Sequence, residues 1–147
     1  MTTGRPIEVG SPYHELIKPI PRRAKAALLA EILATYMRVR WLLWRRSLPA
    51  VVATLRGPAA LADDRRSQAI GARLGKAVGR TLAVVPFDSR CLVRSLVLLG
   101  MLSKRGIAST LVIGVSVDPA FSAHAWVETG GRALLAPLDD AGRLVEI

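Results

Sequence analysis

The first half of the chain has apolar residues at three- and four-residue spacing, which predicts helices. We predict helices over residues 22–47, 49–56 and 64–82, because Pro49, Gly57-Pro58 and Pro86 interrupt the pattern. Ahead of them, four prolines within the first 21 residues indicate an extended arm. Glycines recur every fourth residue in the third helix, a spacing that favours close helix packing over a phosphate-binding loop (Gly71, Gly75, Gly79).

The pattern changes after Cys91. An apolar helix begins at Cys91 and is ended by Gly106, and β-branched residues then predict a strand over 110–117. Residues 123–128 alternate small, polar and large side chains, which predicts a second strand. The remaining elements are a Gly130-Gly131 hairpin turn, a third strand over 132–135, and a turn with a short tail over 138–147.

These elements predict the α+β class, with helices first and then a central helix packed on a small antiparallel sheet. Three segments follow: an extended Pro-rich arm at 1–21, a basic helical region at 22–86, and a core at 87–147. With 147 residues, of which 51% are hydrophobic and 22% charged, the chain can bury a core without disulfides. One cysteine and two histidines leave little for a metal cluster, so we expect no metal and no cofactor.

The first 17 residues are too polar for a secretory signal, and apolar stretches reach only about eight residues, well short of the ~18 that a membrane span needs. We therefore expect a cytoplasmic protein without a membrane span.

The net charge of +10 lies wholly before Cys91. Such a surplus suits nucleic acid, anionic lipid or an acidic peptide, and also an ordinary solvated helix face. Trp41, Trp44 and the arginines around them combine aromatic and basic groups, which suits nucleic acid or a membrane surface. Of these interpretations and simple packing, we favour packing, with an apolar helix docked on the sheet domain and the arginines outside.

Cys91 and His124 are the candidate catalytic residues. The start of a helix presents unpaired N–H groups and positive potential, which favour a thiolate and hold a developing oxyanion. A histidine on a strand beside that helix end can move the protons of thiol chemistry. Alone, each residue is more often part of an ordinary core; together, the order of helix-start cysteine, strand, and strand with histidine is the papain-like and transglutaminase-like layout.

The segments Arg90–Leu96, Lys104–Ile107, Leu111–Val115 and Ala123–Glu128 carry a resemblance to a known family. They resemble the transglutaminase-like cysteine proteases of lasso-peptide biosynthesis, the protease half of the split B protein. The resemblance implies removal of the leader from a ribosomally made precursor peptide, upstream of an ATP-dependent cyclase. In the family, either a small separate protein or an N-terminal fused domain recognises the leader. Because the helical region leaves no room for that extra domain, we expect a separate leader-recognition protein.

The resemblance makes Cys91 the nucleophile and His124 the base. In the family an acid, commonly Asp, follows the histidine by about a dozen residues, a count that here reaches Ala136. Asp139 and Asp140 come shortly after. Either one of them orients His124 or the site is a cysteine–histidine dyad, and we favour Asp139. Two neighbours share the strand face of His124: Trp126, which either walls the substrate cleft or packs in the core, and Glu128, which either touches substrate or lies on the surface.

Two other functions fit the same residues. Another acyl-transfer enzyme on this fold, such as a transglutaminase or amidase, would need the same cysteine and histidine and would incorporate amines. A non-enzymatic basic protein that binds nucleic acid would show steep salt dependence and would not need Cys91. We predict the peptidase, with no nucleic-acid partner, because the neutral second half holds the cysteine–histidine pair.

Overall fold

The computed structural model describes residues 21–58, 65–85, 91–116, 122–134 and 142–146. Its class is α+β, as predicted. Four helices precede a small antiparallel sheet, and the elements are α1 (Arg22–Arg45), α2 (Leu48–Leu55), α3 (Arg65–Ala83), α4 (Cys91–Ser103), β1 (Thr110–Ser116), β2 (Ser122–Thr129), β3 (Arg132–Ala133) and β4 (Gly142–Glu146). The predicted arm, apart from Pro21, and the connection over 87–90 lie outside the described residues, and the division into three segments stays a prediction.

The sheet has the strand order β3-β2-β1-β4, and all its described pairings are antiparallel. β1 and β2 form its centre, with Val112 opposite Trp126 and Gly114 opposite His124. β4 corrects the prediction of a turn and tail over 138–147, because residues 142–146 pair with β1. Five residues are too short a stretch for sequence alternation to stand out, so here the neighbouring strand determines the conformation.

α4 is the central helix of the fold. Nine of its 13 residues are buried, and one hydrophobic cluster joins it to the other three helices and to β1 and β2. Its end confirms the predicted stop: Gly106 has a φ of 69°, and the Ile107 N–H donates to the carbonyl of Leu102 at 3.0 Å. This Schellman arrangement satisfies the last helical carbonyls and turns the chain into β1.

α3 packs closely against the residue that follows β3. A Cβ built on Gly71 would lie 2.8 Å from the Leu134 side chain, and one on Gly75 would lie 2.6 Å from the Leu134 carbonyl oxygen. The predicted close packing is therefore confirmed at these two glycines. Gly79 differs, since a Cβ there would meet nothing within 4 Å.

α1 packs one face in the core, and its buried residues are Ile32, Thr35, Tyr36, Val39 and Leu42. The expectation that Trp41 and Trp44 dock on the sheet domain is wrong, since these side chains are 53% and 77% exposed. Both tryptophans lie off the buried face, because a helix offers only one stripe to a single core. Within the described residues, no helix has the length and apolar character to cross a bilayer.

Candidate active site

Cys91 is the first residue of α4, and its side chain is partly buried against the core. The first turn of α4 contains no acidic residue that would offset the positive end of the helix dipole. The first N–H groups of a helix have no partner within the helix. The thiol therefore lies at a helix end whose N–H groups and dipole attract negative charge.

Three groups lie against the carbonyls of alternate residues along β2. The Leu134 N–H donates to the Val127 carbonyl at 2.8 Å, the Ser95 hydroxyl to the Ala125 carbonyl at 2.9 Å, and the Cys91 sulfur lies 4.0 Å from the Ala123 carbonyl oxygen. Carbonyls of alternate residues leave a strand on the same side. Among the described residues, β3 pairs with β2 at Glu128 and Thr129, and the first turn of α4 lies along the same edge of β2 beyond that pairing.

The spacing of these contacts explains how the thiol is placed. Cys91 and Ser95 are four residues apart, which is about 6 Å of helix, and the carbonyls they meet are two residues apart, which is about 6.6 Å of strand. The start of α4 and this part of β2 thus run in the same direction, and the distance between the two contacts is nearly the same along the helix as along the strand. The carbonyl beside the thiol belongs to Ala123, the residue directly before His124.

His124 is half-buried on the other face of β2 from Ala125 and Val127, which pack in the core. Its ring stacks near that of Trp126, with centroids 6.2 Å apart and an interplanar angle of 23°. Trp126 is only 4% exposed, and its indole N–H donates to the Glu128 carboxylate at 2.8 Å. The structure therefore gathers His124, Trp126 and Glu128 on one strand face.

The predicted acids Asp139 and Asp140 lie outside the described residues, so neither is assigned a position here. Ser95 belongs to the segment Arg90–Leu96 that carries the family resemblance, and its four-residue spacing from Cys91 places both side chains on one helix face, a signal that the sequence analysis did not use. Across the described ranges, no three His, Cys, Asp or Glu side chains come together as metal ligands.

Comparison with known proteins agrees with this arrangement. A family model described as the transglutaminase-like superfamily matches residues 33–146, and so spans the helices as well as the sheet. The chain is also similar to the microcin J25-processing protein McjB of Escherichia coli, with 46% identity over 48 residues. That alignment covers 33% of this chain and 23% of McjB.

No solved structure matches the chain significantly. The family model confirms the transglutaminase-like part of the resemblance, and the similarity to McjB over 48 residues supports its lasso-peptide processing part. With the family model covering most of its length and a helix-start cysteine seated beside the histidine strand, the chain belongs to the transglutaminase-like superfamily.

Proposed function

We propose that the protein is a cysteine peptidase that removes the leader from a lasso-peptide precursor. The observation that supports it most is the contact of the Cys91 sulfur with the carbonyl of Ala123, 4.0 Å away and one residue before His124. The similarity to McjB, whose name records the processing of microcin J25, favours a peptide precursor as substrate.

In the proposed reaction, the Cys91 thiolate attacks the carbonyl carbon of the scissile peptide bond. N–H groups in the first turn of α4 hold the negative oxygen of the tetrahedral intermediate. The C–N bond then breaks, and the imidazolium of His124 gives its proton to the departing amine. A water molecule, deprotonated by His124, hydrolyses the thioester, which releases the leader carboxylate and restores the thiol.

Further members of the site and the pathway belong to the same proposal. Asp139, or else Asp140, accepts a hydrogen bond from His124 and holds its ring in the productive orientation. Trp126 walls the site beside His124. A separate leader-recognition protein delivers the precursor, and an ATP-dependent cyclase uses the amine that cleavage frees.

A mass-spectrometric cleavage assay tests the proposal, with the precursor peptide encoded beside this protein and the leader-recognition protein present. Wild type cuts at one junction, whereas Cys91→Ala and His124→Ala lose cleavage by a factor of at least ~10³. His14→Ala, which changes the chain's other histidine, is the matched control and keeps wild-type cleavage. Asp139→Asn and Asp140→Asn, run side by side, identify the third member by the larger loss.

Two outcomes would contradict the proposal. Undiminished cleavage by Cys91→Ala would show that this thiol is not the nucleophile. Cys91-dependent attachment of an added primary amine to the precursor, in place of cleavage, would identify the protein as an acyl-transfer enzyme of the transglutaminase type.

A further inference from the structure

One side of α1 exposes a row of large apolar side chains. Of the six large hydrophobic residues that are exposed among the described residues, five lie on this helix: Leu29, Leu33, Met37, Trp41 and Trp44. Their spacing of four, four, four and three residues places them along one side of the helix, apart from the face packed in the core. We call these five residues the α1 stripe. Within the part of the chain that the structure describes, the stripe is an exposed apolar surface apart from the core.

The helices that the structure describes before α4 are strongly basic. Within residues 21–58 and 65–85 every lysine and arginine is exposed: Arg22, Arg23, Lys25, Arg38, Arg40, Arg45, Arg46, Arg56, Arg65, Arg66, Arg73, Lys76 and Arg80. The same ranges contain one carboxylate, Glu31, and it already pairs with Arg105 at 2.8 Å. The described helical layer therefore presents positive charge without internal compensation.

Aromatic and cationic groups meet at the C-terminal end of the stripe. The guanidinium carbon of Arg45 lies 5.5 Å from the ring centroid of Trp41 and 5.1 Å from that of Trp44. Both distances suit cation–π contacts. An amphipathic indole beside a cation is the combination found where proteins meet the headgroups of a bilayer.

The combination of features selects one kind of partner. Nucleic acid would satisfy the positive charge but has no apolar surface in its backbone for leucine and methionine. A bilayer with anionic headgroups satisfies both, and it accepts a convex helix ridge without needing a complementary groove. We propose that α1 lies on the surface of an anionic phospholipid bilayer, with the α1 stripe inserted at the boundary between headgroups and acyl chains.

Vesicle co-sedimentation of the full chain tests this proposal independently of the peptidase chemistry, since no precursor is needed. We expect binding to vesicles that contain phosphatidylglycerol and little binding to pure phosphatidylcholine vesicles. Trp41→Gln/Trp44→Gln weakens binding by about tenfold or more, because two exposed indoles are no longer present to move from water into the bilayer. Val84→Gln, which removes an exposed apolar side chain outside the stripe, is the matched control and binds as wild type does.

Tryptophan fluorescence measures insertion directly. Trp126 is buried, so a blue shift on adding anionic vesicles reports Trp41 and Trp44. Circular dichroism establishes that each variant is folded. One set of results would overturn the proposal by reducing the contact to charge adsorption. The double variant would bind the vesicles as tightly as wild type, and wild type would show no blue shift and would leave the vesicles fully at about 1 M salt. Failure to bind the anionic vesicles, together with binding to polyglutamate, would overturn the proposal in favour of an acidic protein partner.

Discussion

Ser95 donates a hydrogen bond to the carbonyl of Ala125 at 2.9 Å, one helical turn after Cys91. The Ser95 side chain is fully buried, so this bond is made away from water. It joins α4 to β2 two residues beyond the carbonyl that the Cys91 sulfur faces. The bond therefore sets the register between the helix that starts with the thiol and the strand that carries His124.

We predict that Ser95→Ala reduces both stability and cleavage. The Ala125 carbonyl would lose its hydroxyl donor in a buried place, which costs about 1–2 kcal/mol of unfolding free energy. The rate constant kcat should fall with little change in KM, because the substrate keeps its contacts while the thiol is less well placed. Urea unfolding and steady-state cleavage measure the two effects.

Ser103→Ala is the control for that prediction. Its hydroxyl accepts a hydrogen bond from the Gly57 N–H at the far end of α4, so its loss weakens the fold away from the site. We expect a smaller loss of stability, because this bond is exposed and water can replace it, and an unchanged kcat. Equal effects of both variants on kcat would mean that Ser95 acts only through general stability.

Gly75→Ala should destabilise the protein, whereas Gly79→Ala should not. The new Cβ at residue 75 would lie 2.6 Å from the backbone oxygen of Leu134, so main chain must move, at a cost of about 1–3 kcal/mol. At Gly79 nothing lies within 4 Å, and the better helix propensity of alanine adds up to about 1 kcal/mol. Thermal unfolding of the pair gives shifts of opposite sign; shifts of the same sign would contradict the packing.

The Glu31–Arg105 ion pair makes stability depend on pH. The Arg105 guanidinium holds the pKa of Glu31 below its usual value near 4.5, mainly by hydrogen bonding, although partial burial opposes this. Because the folded-state pKa is lowered, the contribution is complete above the unfolded pKa and is lost as the pH falls through the folded pKa.

Glu31→Gln should therefore cost about 1 kcal/mol of unfolding free energy at neutral pH, since the pair is only partly exposed and doubly hydrogen-bonded. The difference from wild type should shrink as the pH drops below about 4.5. Denaturant unfolding at a series of pH values measures it, and a difference that stays constant to low pH would mean that the charge of Glu31 contributes nothing.

Trp126→Phe separates the ring of Trp126 from its N–H. Phenylalanine keeps an aromatic ring beside His124 but removes the indole N–H, which donates a hydrogen bond to the Glu128 carboxylate at 2.8 Å. We expect about 1 kcal/mol less stability and a loss of cleavage smaller than about tenfold. A loss beyond about a hundredfold, in a folded variant, would mean that the indole N–H takes part in the reaction itself.

Periodicity predicted the helices well, because α1 and α3 repeat their apolar residues over several turns, and Pro49, Gly57-Pro58 and Pro86 mark where the helices stop. Each predicted boundary of α1, α2 and α3 lies within two residues of the structure. β4 was missed since its pairing with β1 is a tertiary property. Trp41 and Trp44 were misplaced for a related reason: composition identifies an apolar helix but does not say which of two apolar stripes faces the core.

For the candidate site, the sequence identified residue types but not the contacts that place them. The helix start at Cys91 and the strand around His124 followed from pattern and resemblance. The hydrogen bond of Ser95 did not, because nothing in the sequence says which carbonyl a helical serine will reach. The indole–carboxylate bond of Trp126 and Glu128 also needed coordinates, since residues two apart on a strand share a face without having to touch.

The first turn of α4 has a second consequence for β2. A strand whose outer carbonyls are open is a template on which another chain can add a strand, and that is a common start of aggregation. The hydroxyl of Ser95 donates to the carbonyl of Ala125, and the sulfur of Cys91 lies 4.0 Å from the carbonyl oxygen of Ala123, beyond the residues that pair with β3 in the described structure. The contacts that position the thiol thus also cover part of an aggregation-prone strand edge. Variants that weaken the packing of α4 on β2 should therefore be less soluble as well as less active.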